Sequence, residues 1–153
     1  MPRLESEFLC AMHATLQAPP EVIGPTPEGI RVNFYVTGGT LDGPRLKGRL
    51  RAVGADFFTL RRDGVGELDV RTTIETDDGA LIYVQYHGVG DLGEQGYERF
   101  LAGELPPRVA LQTGPRFSSA HPDYQWLHRL YCVGRGEVDM QTFEVRYDIH
   151  ALR

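Results

Sequence analysis

The clearest pattern in the chain is a period of two. Residues 67–76 read ELDVRTTIET and residues 80–88 read ALIYVQYHG, with apolar and polar positions alternating through both and Asp77, Asp78 and Gly79 between them. Such alternation marks a half-buried strand, and two runs around an Asp-Asp-Gly turn predict a β-hairpin. The faces select the register. With a three-residue loop and Gly79 in the left-handed conformation, Leu68, Val70, Thr72 and Ile74 share a face with Ala80, Ile82, Val84 and Tyr86. A loop of two or four residues would instead set Arg71 and Glu75 beside Ile82 and Val84. On the polar face Asp69 then opposes His87, Arg71 opposes Gln85, Thr73 opposes Tyr83 and Glu75 opposes Leu81.

Weaker versions of the same pattern recur. Residues 8–17 partly alternate, 30–37 alternate cleanly, and 43–53 and 55–62 read as two further strands bounded by glycine. Strand composition returns in 111–119, 124–136 and 140–152, the last with Phe143, Val145, Tyr147 and Ile149 on one face and Glu144, Arg146, Asp148 and His150 on the other. Residues 18–29 carry four prolines and two glycines, too many for regular hydrogen bonding, and are expected to be a loop. Only residues 93–104 look helical, with Tyr97, Phe100 and Leu101 at helical spacing before Gly103 and the Pro106-Pro107 pair. The expected fold is all-β: one antiparallel β-barrel over residues 1–153, of about eight or nine strands with one short helix. Closure is favoured over a sandwich because a barrel leaves no open edge. Eight strands enclose room for side chains or one small ligand.

Length and composition agree with one core. The chain has 153 residues, 41% hydrophobic and 24% charged, with 18 glycines and 10 prolines that imply many turns. The net charge of −5 opposes nucleic-acid binding, and the single lysine, Lys47, among scattered arginines gives no polybasic membrane patch. No stretch has the length of a membrane span and no export signal is visible, so a cytoplasmic address is expected. Cys10 and Cys132 lie in separate apolar segments and read as buried thiols.

Cofactor motifs are absent: there is no dinucleotide-binding glycine pattern, phosphate loop, zinc-protease helix or nucleophile elbow. The three serines, Ser6, Ser118 and Ser119, lack nucleophile signatures, and the five histidines have no ligand spacing, so neither metal nor cofactor is expected. What remains is the polar face of the hairpin. A carboxylate beside an imidazole raises its basicity, and an arginine with a tyrosine hydroxyl stabilises an oxyanion. Asp69, Arg71, Glu75, Tyr83 and His87 are therefore the candidate catalytic residues for cofactor-free proton transfer, of the isomerase, cyclase or lyase type, on a partly apolar oxygenated metabolite. The same alternation equally describes a solvated outer wall, the commoner arrangement in antiparallel sheets. A second cue is aromatic. Tyr124, Trp126 and His128 would share one strand face near Arg116, the floor of a ligand pocket or ordinary core. A non-catalytic carrier of an aromatic or lipid-like ligand in the lumen is the alternative function. Barrels of this size often pair, which makes a homodimer the assembly to consider.

Several segments taken together resemble a known family: GGT at 38–40, GPRLKG at 43–48, GADFF at 54–58, ELDVRTTIETDDGALIYV at 67–84, PRF at 115–117 and YQWLHRLYCVGRGE at 124–137. They resemble the bacterial and fungal domain of unknown function 3237 across nearly the whole chain. The resemblance implies a small antiparallel barrel of lipocalin or allene-oxide-cyclase type. It places Asp56, Asp69, Arg71, Trp126 and the Asp78-Gly79 turn in recurrent motifs, and Asp56 joins the candidate substrate-binding residues on that ground. His87 lies outside the recognised segments.

Overall fold

The computed structural model describes residues 1–153 and contains eleven strands. These are β1 (Ser6–Leu16), β2 (Glu21–Thr26), β3 (Gly29–Asp42), β4 (Gly48–Leu50), β5 (Ala55–Leu60), β6 (Val65–Thr76), β7 (Leu81–Asp91), β8 (Arg108–Thr113), β9 (Arg116–Ser118), β10 (Cys132–Asp139) and β11 (Glu144–Leu152). Two short helices join them: α1 (Gly96–Leu101) and a 3-10 helix (Pro122–Arg129).

All pairings are antiparallel, and β11 returns to β1, so the sheet closes. The closed ring has eight strands, because three of its walls are each made of two pieces. β4 and β5 both pair with β6 on one side and β3 on the other. β8 and β9 pair with β7 in one unbroken register, Gly88 with Thr113 and Gln85 with Arg116. β1 and β2 both pair with β3. Each break falls where the chain cannot carry a ladder: Pro19-Pro20, the turn ending at Gly54, and Gly114-Pro115. At Gly54 the requirement is explicit, since φ is +82° and a Cβ would collide with the carbonyl oxygen of Arg71.

The hairpin has the register read from its faces, with Asp69–His87, Arg71–Gln85, Thr73–Tyr83 and Glu75–Leu81 opposite one another and Gly79 at φ +89°. Leu68, Val70, Thr72, Ile74, Ala80, Ile82, Val84 and Tyr86 are all buried inside the barrel. Two expectations are corrected. Residues 18–29 are not all loop, because β2 forms there. It pairs with β3 alone, so Pro25 sits on an edge where its missing N–H costs no ladder bond. Residues 124–129 are not strand but 3-10 helix, started by Pro122 and by the His121 side chain, whose Nδ1 accepts the Asp123 N–H at 3.1 Å. Partial alternation in β1 also has its cause: the register shifts between Phe8 and Cys10, so that Leu9 and Cys10 are both buried.

The two ends of the barrel differ. At one end the hairpin tip, residues 43–47 and the 3-10 helix form a plug. The Tyr124 hydroxyl donates to Asp78 Oδ1 at 2.8 Å, Arg45 lies 3.8 Å over the Trp126 ring, and Leu46 and Leu127 are buried as part of the hydrophobic core. At the other end residues 92–107, carrying α1, lie across the opening.

Candidate functional site

The wall facing the interior is apolar wherever β-branched and aromatic residues alternate inward, and the plugged half is filled. The open half is not. A cavity of about 70 Å³ lies there, lined by 23 residues of which 19 are hydrophobic. At ~10–15 Å³ per water it has room for a handful of waters, the scale of one small ring. No lysine, arginine or histidine lines it. Its polar side chains are Asp56, Thr72 and the phenols of Tyr86 and Tyr147.

Asp56 is the unusual member. In the row Phe34–Asp56–Val70–Tyr86, running across β3, β5, β6 and β7, it occupies a position whose neighbours are all buried. Beyond it the β5–β6 ladder skips Phe57 and Phe58, which frees the Asp69 N–H, and Asp56 Oδ1 accepts it at 3.0 Å. The ring of Phe58, within this gap, covers the place where a side chain at Gly66 would stand. Burial pushes the Asp56 carboxyl up to about 7; the Asp69 N–H pulls it back in part, and the Asp69 charge adds to the rise.

Across the lumen the rings of Tyr86 and Tyr147 meet edge to face with centroids 5.6 Å apart, although two strands separate them in the sheet. Both phenols are raised, by burial above all; the contact between them raises Tyr147 further and pulls Tyr86 back in part, the Asp56 charge adds a smaller rise to each, and both keep their protons. Thr72 is satisfied by donating to the Val53 carbonyl at 2.7 Å. The arrangement is a carboxyl that changes charge near neutrality, two protonated phenols, and walls that are mostly apolar. Such a set can accept a proton at one point of a bound molecule and hydrogen-bond an oxygen at another.

The residues singled out from the sequence fall elsewhere, Asp56 excepted. The polar face of the hairpin is the outer wall of the barrel. The Arg71 side chain is 58% exposed and 4.0 Å from Asp69, and Tyr83 is 42% exposed. His87 is exposed, and Glu75 is held by Arg49 at 2.5 Å. His87 and Asp69 border a broad, shallow concavity of about 1610 Å³ that is open to water. Of the two readings of this face, lumen lining and solvated wall, the geometry is that of the wall. The reason is parity: once Leu68 to Ile74 point inward, the intervening residues must point out. Asp69 still reaches the site, through its main-chain N–H.

The aromatic group is likewise displaced. Tyr124, Trp126 and His128 lie in the plug on a helix, not along one strand face. Trp126 donates its indole N–H to the Asp123 carbonyl at 3.0 Å, and His128 Nε2 accepts the Ser119 N–H at 3.0 Å. Arg116 is exposed on β9 opposite Gln85. Sequence reading missed Tyr86 and Tyr147, which it placed on apolar faces without a role. The signal was present: a tyrosine inside an otherwise aliphatic face carries a hydroxyl that must find a polar neighbour. The cysteines are as expected, free and buried, with burial pushing Cys10 up to about 12 and Cys132 up to about 11, which makes both unreactive.

Comparison with known proteins gives a consistent picture. The family model described as "Protein of unknown function (DUF3237)" matches residues 4–152. The UPF0311 protein RPA1785 of Rhodopseudomonas palustris is 32% identical over 135 residues, which is 87% of this chain and 88% of that protein. The crystal structure of a beta-barrel like protein from Acinetobacter baumannii AYE has a TM-score of 0.84 at 31% identity, covering 100% of this chain and 98% of the other. An enzyme from Penicillium herquei has the same fold, with a TM-score of 0.65 at 22% identity over 99% and 95% of the two chains.

Proposed function

Since the chain belongs to the DUF3237 family, whose name assigns no reaction, we propose a function from its own lumen: a small-molecule-binding barrel that performs cofactor-free acid–base chemistry at Asp56. The reading rests on one observation. Asp56 is an ionisable side chain set among apolar walls with no buried cation beside it, and its carboxyl lies at about 7. A carboxylate destined only for structure would be paired or exposed. With its pKa near the working pH it exchanges protons in both directions, the condition for an efficient general acid or base. Tyr147 and Tyr86, held protonated, would donate hydrogen bonds to the substrate oxygen as negative charge develops there. The substrate class that fits is a small, mostly apolar molecule with one carbonyl or hydroxyl, and the reaction class is isomerisation, cyclisation or elimination next to that oxygen. A charged phosphate or carboxylate finds no counter-ion in the lumen. That this fold houses an enzyme in Penicillium herquei is compatible with the reading.

The test is proton exchange. Incubated with cyclohexanone in D2O, the protein should speed deuterium incorporation at the α-carbon, read by NMR. Asp56→Asn should reduce this by about 100-fold, and Arg71→Leu on the outer wall should leave it as it was. Equal rates for wild type and Asp56→Asn would overturn the assignment.

The nearly all-apolar wall also suits a carrier, the second reading. It predicts a compound that co-purifies in stoichiometric amount and is unchanged by long incubation, with Asp56→Asn retaining it.

A further inference from the structure

The plugged end of the barrel offers no path to the lumen, because Leu46 and Leu127 are buried there and Asp78 is tied to Tyr124. Access must come from the other end, where residues 92–107 form a strap across the opening. Three properties of the strap set it apart from the ladders around it. First, it is fastened to the barrel main chain only at its two ends, where Leu92 donates to the Gly64 carbonyl at 2.9 Å and Met140 donates to the Pro107 carbonyl at 2.8 Å. Residues 94–106 make main-chain hydrogen bonds only within the strap. Second, its stretch of helix is flanked by Gly93 and Gly103, at φ +88° and +77°, conformations that only glycine adopts freely; nothing stands where a side chain at either would be, although the Gly93 carbonyl rests against Gly64. Third, its underside is apolar. Phe100, Leu105 and Pro106 form part of the cavity lining, yet Phe100 is only half-buried, and Leu105 and Leu101 are 41% and 54% exposed. A strap that lay permanently shut would bury these side chains more completely.

We propose that the strap is the gate of the lumen and that Phe100, seconded by Leu105, sets the size of ligand it admits. The proposal rests on the reading of the lumen as the ligand site. A cavity of about 70 Å³ is small for a metabolite, and the strands that wall it are each hydrogen-bonded to a neighbour on both sides, whereas residues 94–106 are not. Added volume has to come from the strap, by tilting α1 outward about the two glycines. Phe100 is the large side chain that then leaves or narrows the space. Ligand size is thereby coupled to strap position, while Asp56, Tyr86 and Tyr147 stay fixed on the barrel.

The experiment compares two ketones of equal chemistry and different bulk, cyclohexanone and 4-tert-butylcyclohexanone, by α-deuterium exchange. In wild type the bulky ketone should exchange more slowly. Phe100→Ala should raise the ratio of bulky to small by about tenfold or more. Leu105→Ala, a partly exposed position whose change is mild for folding, should move the ratio the same way by a smaller factor. Asp56→Asn should reduce both exchanges by about 100-fold in every background. An unchanged ratio in both strap variants, with exchange still dependent on Asp56, overturns the gate and leaves the lumen site standing. Exchange that ignores Asp56 overturns the lumen site and the gate with it.

Discussion

At the scale of single residues, one carboxyl in the wrong kind of place carries the functional reading. Asp56 is raised from the usual carboxylate range to about 7. Between roughly pH 4 and 7 the folded protein therefore holds a proton that the unfolded chain has released, and by linkage stability falls as pH rises through that window. Below it the effect vanishes, because both states are protonated. Above it the penalty of the buried charge is complete, on the order of 2–4 kcal/mol for a shift of this size. Asp56→Asn removes the titration. Thermal unfolding should show the variant near wild type at about pH 4 or below and increasingly more stable than wild type up to pH 8, and parallel curves at all pH values would contradict the burial of the charge. The trade is the usual one, in which a functional group is kept at a cost in stability. Asp56 was reachable from the sequence only through family resemblance. In ADFFTL it alternates with Phe58, but the run alone does not say which face of β5 turns inward.

At the scale of elements, the hairpin was fully legible because the side-chain period is exclusive. Only the three-residue loop put the seven apolar side chains of 68–74 and 80–86, with Thr72 among them, on one face, and the structure has that register. Broken strands were less legible. A proline or glycine interrupts the ladder without ending the strand's course through the barrel, so β1–β2, β4–β5 and β8–β9 each look like two strands or a strand and a loop. Gly54 shows what such a break requires. Its left-handed φ and the Arg71 carbonyl beside it admit no side chain, and Gly54→Ala should cost about 2 kcal/mol or more in denaturant unfolding. A loss within a few tenths of a kcal/mol would mean that the break relaxes. The 3-10 helix escaped sequence reading for another reason. YQWLHRLY has the aromatic and apolar content of a strand, and what bends it into a helix is Pro122, the His121 cap and the tie from Tyr124 to Asp78, none of them a periodic signal.

At the scale of the whole molecule, the barrel divides its labour along its axis: one half is packed and plugged, the other holds the cavity under the strap. Substitutions should sort accordingly. Leu127→Ala, which empties a buried position in the plug, should lower stability by about 2–5 kcal/mol. Arg71→Leu on the outer wall should change it by about 0.5 kcal/mol or less. Chemical denaturation with a single fluorescence probe, Trp126, measures both, and a small loss for Leu127→Ala would show that the plug is loosely packed. The same division explains why no helix of the chain is long and apolar enough to cross a membrane: the apolar residues are spent on strands that face inward.

The sequence by itself determined the class of fold, the strand periodicity, the register of the central hairpin and the burial of the two cysteines, because each follows from neighbours along the chain or from one turn. The direction in which each alternating face points was decided only by closure of the sheet. Alternation says that two faces differ; which of them becomes the inside depends on all eight walls together, and this sent Arg71, Tyr83 and His87 outward. Closure also brought Asp56, Tyr86 and Tyr147, from three separate strands, around one small cavity. No local pattern carries that meeting, since two of its members read as ordinary core residues until an inward-facing, half-buried carboxyl stands beside them.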